Sequence, residues 1–339
     1  MGRSMDTELT DLLGIDQPVV QAPIGSATCP ELAAAVSDAG GLGHLAVTWR
    51  SLAETRRVVE RTRDLTDRPF AVNLVLDEAT TRHPTDEHLD AVLDAGARIV
   101  SLSFGDAAAH VDRIHDAGGI VLQTVGSAAE AAAAEAAGVD AVVAQGWEAG
   151  GHVQSEVATM PLVPRVADAV DVPVVAAGGI ADGRGIAAAL ALGGDGAWLG
   201  TRFLATEEAN AHRAYRERVA DADETETVYT DLFEKGWPGT PHRVVENETV
   251  ERFRAAGEPL PGDRPGEEEV VARSADGDPI ERYDEALATP GVEGDVDQMA
   301  LFAGQSAGLT DEVRSAGDVV ADLVAETEAA VVRLAADRE

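Results

Sequence analysis

Along the first 205 residues, short apolar runs alternate with alanine-rich stretches. The runs are PVVQA (18–22), GLGHLAV (41–47), FAVNLVL (70–76), RIVSLSF (98–104), GIVLQTV (119–125), DAVVAQG (140–146), VPVVAAG (172–178) and GAWLG (196–200). Their length and content of Val, Leu and Ile predict strands. They are continuously apolar rather than alternating, as expected of parallel strands covered on both faces. Between them CPELAAAVSDAGG, TDEHLDAVLDAG, AAAHVDRIHDAGG and AAEAAAAEAAG read as helices stopped by glycine. Eight such units predict an α/β fold of the (β/α)8 TIM-barrel class. The rival is a doubly wound open sheet. No GxGxxG follows the first strand, which argues against a nicotinamide-binding Rossmann domain.

After the eighth run the texture changes. The reading assigns 1–206 and 297–339 to the barrel and 207–296 to a smaller inserted subdomain. Within the insertion, 255–297 is rich in charge, Gly and Pro and is expected to be a loop or extended excursion. From 297, DQMALFAGQSAGLT leads into a last helix that carries Val313, Ala316, Val320, Leu323 and Ala330 near helical spacing. That helix is expected to return and close the barrel.

Composition narrows the partners. There are 61 Asp and Glu against 26 Lys and Arg, a formal charge of −35, with Lys235 as the single lysine. Such a polyanion repels nucleic acid and anionic membranes. It fits a high-salt cytoplasm, where the Debye length falls to roughly 3 Å at 1 M and self-repulsion is screened. Dialysis into low salt is expected to unfold the protein, as circular dichroism would report; unchanged stability there would remove the salt argument. One cysteine, Cys29, excludes an internal disulfide and a cysteine-cluster metal site. MGRSMDTELTDLLG has no apolar segment of the signal-peptide kind, and no uncharged apolar run approaches the roughly 18 residues of a membrane span. A small-molecule substrate is expected, with no nucleic-acid or membrane partner; a homodimer is compatible with this reading.

In a barrel of this class chemistry lies at the C-terminal ends of the strands. Those positions hold Gln21, Asn73, Ser103, Gln123, Gln145, Gly178–Gly179 and Gly200–Thr201. Side-chain amides offer donors and acceptors together, which suits a polar heterocycle. The glycine-rich turns in AAGGIADGRG and LGTRF offer backbone N–H groups and helix starts that hold phosphate without lysine. A phosphate-bearing heterocycle such as FMN satisfies both halves of this rim. After the sixth run comes QGWEAGGH, in which the Gly150–Gly151 turn permits close approach to a flat ring and His152 is the candidate base. Glu148 is its candidate orienting carboxylate, or an ordinary surface charge. His44, the other histidine near a strand end, is the reserve.

These segments together resemble the nitronate monooxygenase family. The resemblance runs through QAP (21–23), AVNL (71–74), SFG (103–105), QGWEAGGH (145–152), AAGGIADGRG (176–185), LGTRF (199–203), WPGTPHRVVEN (237–247) and AGQSAGL (303–309). The chain departs from the family's pattern after QAP, where it reads IGS, and after the histidine, where it reads VQSE. The resemblance implies a barrel with non-covalent FMN. It implies Asn73, Gln123, Gly178, Gly179, Gly200 and Thr201 as FMN ligands. Gln21, Ala22, Pro23, Ala149 and Gly150 would lie near the ring system, and Gln305 toward the phosphate. His152 matches the family's active-site histidine. The implied reaction is oxidation of an alkyl nitronate by O2 to a carbonyl compound and nitrite. Two alternatives stay open: an FMN-dependent NAD(P)H reductase of enoyl-thioester or quinone type, and a flavin-binding protein without turnover.

Overall fold

The computed structural model describes residues 5–336; the first four residues of the N-terminal stretch and the last three of the C-terminal segment lie outside the described residues. All eight predicted strands form: β1 (Val19–Gln21), β2 (Gly43–Ala46), β3 (Phe70–Val75), β4 (Ile99–Ser103), β5 (Ile120–Val125), β6 (Ala141–Gln145), β7 (Val174–Ala177) and β8 (Gly196–Leu199). They pair in parallel in chain order, β1 pairs with β8 through Val19–Ala197 and Gln21–Leu199, and a Val20–Leu42 bridge joins β1 to β2. The sheet is a closed (β/α)8 barrel.

Strand parity sorts the residues. Val20, Ala71, Ile99, Leu122, Ala141, Val143, Val175, Ala177 and Trp198 form one buried cluster inside the barrel. Val19, Val72, Val100, Val121, Val142, Val174 and Ala197, one residue out of step, belong to the outer cluster shared with the helices. The helix Glu8–Leu13, begun by a Thr7–Thr10 capping box, plugs the N-terminal mouth with Leu9 and Leu13. Gly196 gives it room, since a Cβ there would fall 2.5 Å from Leu9 Cδ2.

The last helix spans Ala316–Ala336 and buries Ala316, Val319, Val320, Leu323, Val324, Thr327 and Ala330; Val313 precedes it. It lies on the helices Gly183–Ala191 and Pro30–Asp38, the place of a helix following β8. Between β8 and this helix, Thr227–Thr230 and His242–Val245 form a small antiparallel sheet that takes in Gly151–His152, the segment after β6. The 255–297 stretch, expected as an excursion, carries a second sheet of Val270–Arg273, Pro279–Glu281 and Glu293–Gly294. Its core includes Arg282 and Tyr283, fully buried, with the Arg282 guanidinium bonded to Glu269 at 2.7 Å. These strands are two to four residues long and largely exposed, so they carry no apolar run that would have advertised them. Among the described residues no helix is long and apolar enough to cross a membrane.

Candidate active site

A cavity of about 320 Å³ opens at the C-terminal ends of the strands. A smaller one of about 80 Å³ adjoins it over β7 and β8, sharing Ala22, Gln145, Gly150, Ala177, Trp198 and Gly200. Pro23, Asn73 and His152 line the larger; Ala149, Gly178, Gly179 and Thr201 line the smaller. Ten of the thirteen residues expected at the site therefore meet at one rim.

Gln21, Gln123 and Gln305 line neither cavity. Gln21 and Gln123 fall on the outward parity of their strands, and their amides are used on backbone. Gln21 Oε1 accepts from His44 N–H at 2.8 Å. Gln123 Nε2 donates to the Gly105 carbonyl at 2.9 Å and its Oε1 accepts from Ala107 N–H. Gln305 donates its backbone N–H to the Glu148 carbonyl, and the following residue, Ser306, reaches the smaller cavity. His44 is inside the barrel but below the cavity, fully buried, with its Nε2 3.0 Å from Ser101 Oγ.

The Asn73 amide nitrogen is held by the Ser101 hydroxyl at 3.0 Å and the Ser101 carbonyl at 3.2 Å. Gln145 donates to the His152 carbonyl and accepts from Gln154 N–H at 2.7 Å, fixing the turn that carries the histidine. Gln154, in the VQSE segment, accepts from Phe104 N–H at 3.2 Å and so supports Phe104 at a φ of 55°. Phe104 is one of the cavity walls.

Gly150 makes a close approach, though to the chain itself. A Cβ there would fall 2.3 Å from Gly304 N and 2.5 Å from Ala303 C. Gly151 is required for another reason, its φ of +70°. The helix after β7 offers no anion site: Asp182 Oδ1 accepts from Gly185 N–H and Glu326 Oε2 from Gly183 N–H. The smaller cavity is instead lined by Gly178, Gly179, Gly200 and the hydroxyl residues Thr201 and Ser306, with no charged side chain among its walls. A Cβ at Gly200 would meet only Ala22 Cβ, at 3.6 Å, so open space lies over it.

His152 sits in an aromatic box. Its ring centroid is 4.3 Å from Trp237, 5.4 Å from His242, 5.5 Å from Phe302 and 6.4 Å from Phe104. Burial, with a smaller contribution from His242, lowers its pKa to about 3. Glu148 does not orient it; that carboxylate accepts from the N–H and hydroxyl of Thr159 at 2.8 and 2.9 Å and ties the turn to the next helix. The carboxylate beside His152 is Glu285, with Oε2 3.5 Å from Nε2. Burial, then the charge of Asp284, pushes the Glu285 pKa up to about 7. Trp237, its Nε1–H bonded to Asp77 at 2.8 Å, completes the wall. Sequence reading missed Glu285, Trp237, Phe302 and the role of His242. Trp237 stood in the quoted WPGTPHRVVEN segment; Glu285 had no signal of its own. Among the described residues no cluster of His, Cys, Asp and Glu could hold a metal ion.

A closed barrel with a cavity at its strand ends and a mostly enclosed histidine on the cavity wall defines the class as a (β/α)8-barrel protein with an enzyme-like site. Similarity specifies the family. The nitronate monooxygenase family model matches residues 6–326, and the chain belongs to that family. It is 33% identical to a probable nitronate monooxygenase of Staphylococcus saprophyticus, over 76% of this chain and 83% of that protein. It is 38% identical to a (3aS,4S,5R,7aS)-5-hydroxy-7a-methyl-1-oxo-octahydro-1H-indene-4-carboxyl-CoA dehydrogenase of Rhodococcus jostii, over 75% and 69%. Among solved structures, FabK from Thermotoga maritima superposes with a TM-score of 0.84 at 33% identity, covering 98% of this chain and 99% of that one. Nitroalkane oxidase from Streptomyces ansochromogenes does so at 0.76 and 32% identity, covering 97% and 100%. Membership implies a flavin. The donor set fits one: neutral hydroxyls and side-chain-free backbone at the smaller cavity, amides and aromatic walls at the larger.

Proposed function

We propose that this chain is an FMN-dependent enzyme that oxidises alkyl nitronates with O2 to a carbonyl compound and nitrite. The carrying observation is a neutral, mostly enclosed imidazole on the wall of a strand-end cavity lined by neither Lys nor Arg. Gly178, Gly179, Gly200 and Thr201 would hold the FMN phosphate, and Ala22, Pro23, Asn73, Ala149 and Gly150 would border its ring system. FMN, when bound, supplies the redox chemistry. His152, neutral at physiological pH, has one lone pair with which to take the proton from the carbon that bears the nitro group, or one N–H to bond the nitronate. Trp237, Phe302 and Phe104 exclude water around it.

The cavity lies near the lower end of the roughly 300–1,000 Å³ range for ligand sites, which favours a small substrate. The second reading, an NAD(P)H-dependent reductase of thioesters or quinones, draws on the carboxyl-CoA dehydrogenase relative. Against it, the lining has no cation to receive a phosphorylated carrier. The test is an absorbance spectrum of the purified protein, followed by mixing with propyl nitronate under air. Flavin bands and nitrite release are expected. Rapid anaerobic flavin reduction by NADH with no nitrite from nitronate would select the reductase. Flavin bands with neither activity would select the binding protein.

A further inference from the structure

We propose that Glu285 is the proton acceptor behind His152, forming a two-step relay that carries the substrate's carbon-bound proton away from the cavity. This rests on the proposed nitronate chemistry and goes beyond it. Nε2 of His152 and Oε2 of Glu285 are 3.5 Å apart, and neither buried atom has another hydrogen-bond partner. Both side chains are mostly enclosed, at 14% and 16% exposure, and both residues line the larger cavity. A small rotation of either closes the gap to a hydrogen bond.

The carboxylate is held for this contact. Gly236, at a φ of +121°, lies so close that a Cβ there would fall 2.4 Å from Glu285 Oε1, and Glu285 N–H donates to the Lys235 carbonyl at 3.2 Å. With Oε1 packed against Gly236, Oε2 is the oxygen turned to the imidazole.

The surrounding groups leave this pair to itself. Lys235 is engaged with Glu281 and the Glu267 carbonyl. Asp284 accepts from Glu281 N–H at 2.7 Å, and Asp77 accepts from Trp237. His242 Nε2 accepts from Phe233 N–H at 3.2 Å, so its proton is on Nδ1, facing the Thr240 carbonyl at 3.1 Å. It is thereby fixed as a neutral spectator.

In the relay the C–H bond breaks, its electron pair stays with the nitronate, and the proton forms an N–H bond at His152 Nδ1. The proton on Nε2 leaves for Oε2 of ionised Glu285. No redox change occurs in this step. An imidazole made so weakly basic by burial holds an extra proton poorly, and passing it on removes that obstacle. The relay needs Glu285 ionised, so it switches on as pH rises through about 7.

The test compares holoenzyme with Glu285→Gln, which keeps the shape and removes the ionisation, and Glu285→Asp, which keeps the ionisation. For nitroethane, the pH profile of kcat/KM should rise through about pH 7 in wild type and in Glu285→Asp, and lose that limb in Glu285→Gln. The ratio of kcat/KM for nitroethane to that for pre-formed ethyl nitronate should fall at least tenfold in Glu285→Gln. An unchanged limb and ratio in Glu285→Gln overturn the relay. A separate readout is the His152 imidazole resonance in NMR, which should show an inflection near pH 7 that Glu285→Gln abolishes. Identical titration curves overturn the relay however the reaction turns out, whereas absence of nitrite from wild type with either substrate overturns the proposed reaction.

Discussion

His152→Asn is expected to leave the protein yellow while lowering kcat/KM for a neutral nitroalkane by about 10²–10⁴-fold, the usual worth of a general base. Asparagine retains a polar side chain of similar reach but has no lone pair basic enough to take a carbon-bound proton. Trp237 is bonded to Asp77, Phe104 is braced by Gln154 and packs on Trp237, and Phe302 packs on His242, so the wall should persist. The smaller cavity, where the phosphate is proposed to bind, does not include His152, so flavin should be retained. Pre-formed nitronate, which needs no proton removal, should lose less activity than the neutral substrate. Nitrite release alongside the flavin absorbance checks both expectations. Undiminished turnover of the neutral nitroalkane would remove His152 from the role of base.

Gly150→Ala is expected to be the most damaging single methyl in the site, costing about 1–3 kcal/mol or more from overpacking. The new Cβ would meet backbone atoms of Ala303 and Gly304, which cannot rotate away. Yielding there would pull Gly304 N–H from Thr201 Oγ1, now 2.9 Å away, and Gln305 N–H from the Glu148 carbonyl, now 3.0 Å away. Those bonds brace the wall of the smaller cavity, so flavin affinity should fall with stability. Gly151→Ala is the control: nothing lies within 4 Å of its added Cβ, and only its positive φ is penalised, by about 1–2 kcal/mol. Urea unfolding of the two variants should rank Gly150→Ala as the less stable. Equal stability of Gly150→Ala and wild type would show that the 303–304 segment moves freely.

Much of the fold was legible because a parallel barrel repeats one strong signal. Every β-strand of it must bury both faces, so each appears as an apolar run, and most of the helices end where a glycine turns the chain back. The insertion was less legible: Arg282, bonded outward to the exposed Glu269, places charge inside a fold whose apolar residues are few and scattered. At the site, Asn73, Gly178, Gly179, Gly200 and Thr201 could be placed at strand ends from the pattern alone, and they line the cavities. Gln21 and Gln123 could not be oriented, because a strand apolar on both faces gives no alternation from which to read parity.

By itself the sequence determined the eight-fold strand–helix repeat, the acidic surface, and the position of His152 just beyond the sixth strand. Each is a local property, written within a few residues of where it acts. Only the tertiary structure decided what His152 touches. Its box is assembled from Phe104, Trp237, His242 and Phe302, and its carboxylate is Glu285 rather than Glu148. The pairing of His152 with His242 across two strand segments brings the insertion against the rim. The low pKa of His152 and the high pKa of Glu285 arise chiefly from the burial that this assembly creates. Desolvation is a property of everything packed around a group, and distant segments supply it, so no local stretch of sequence contains it.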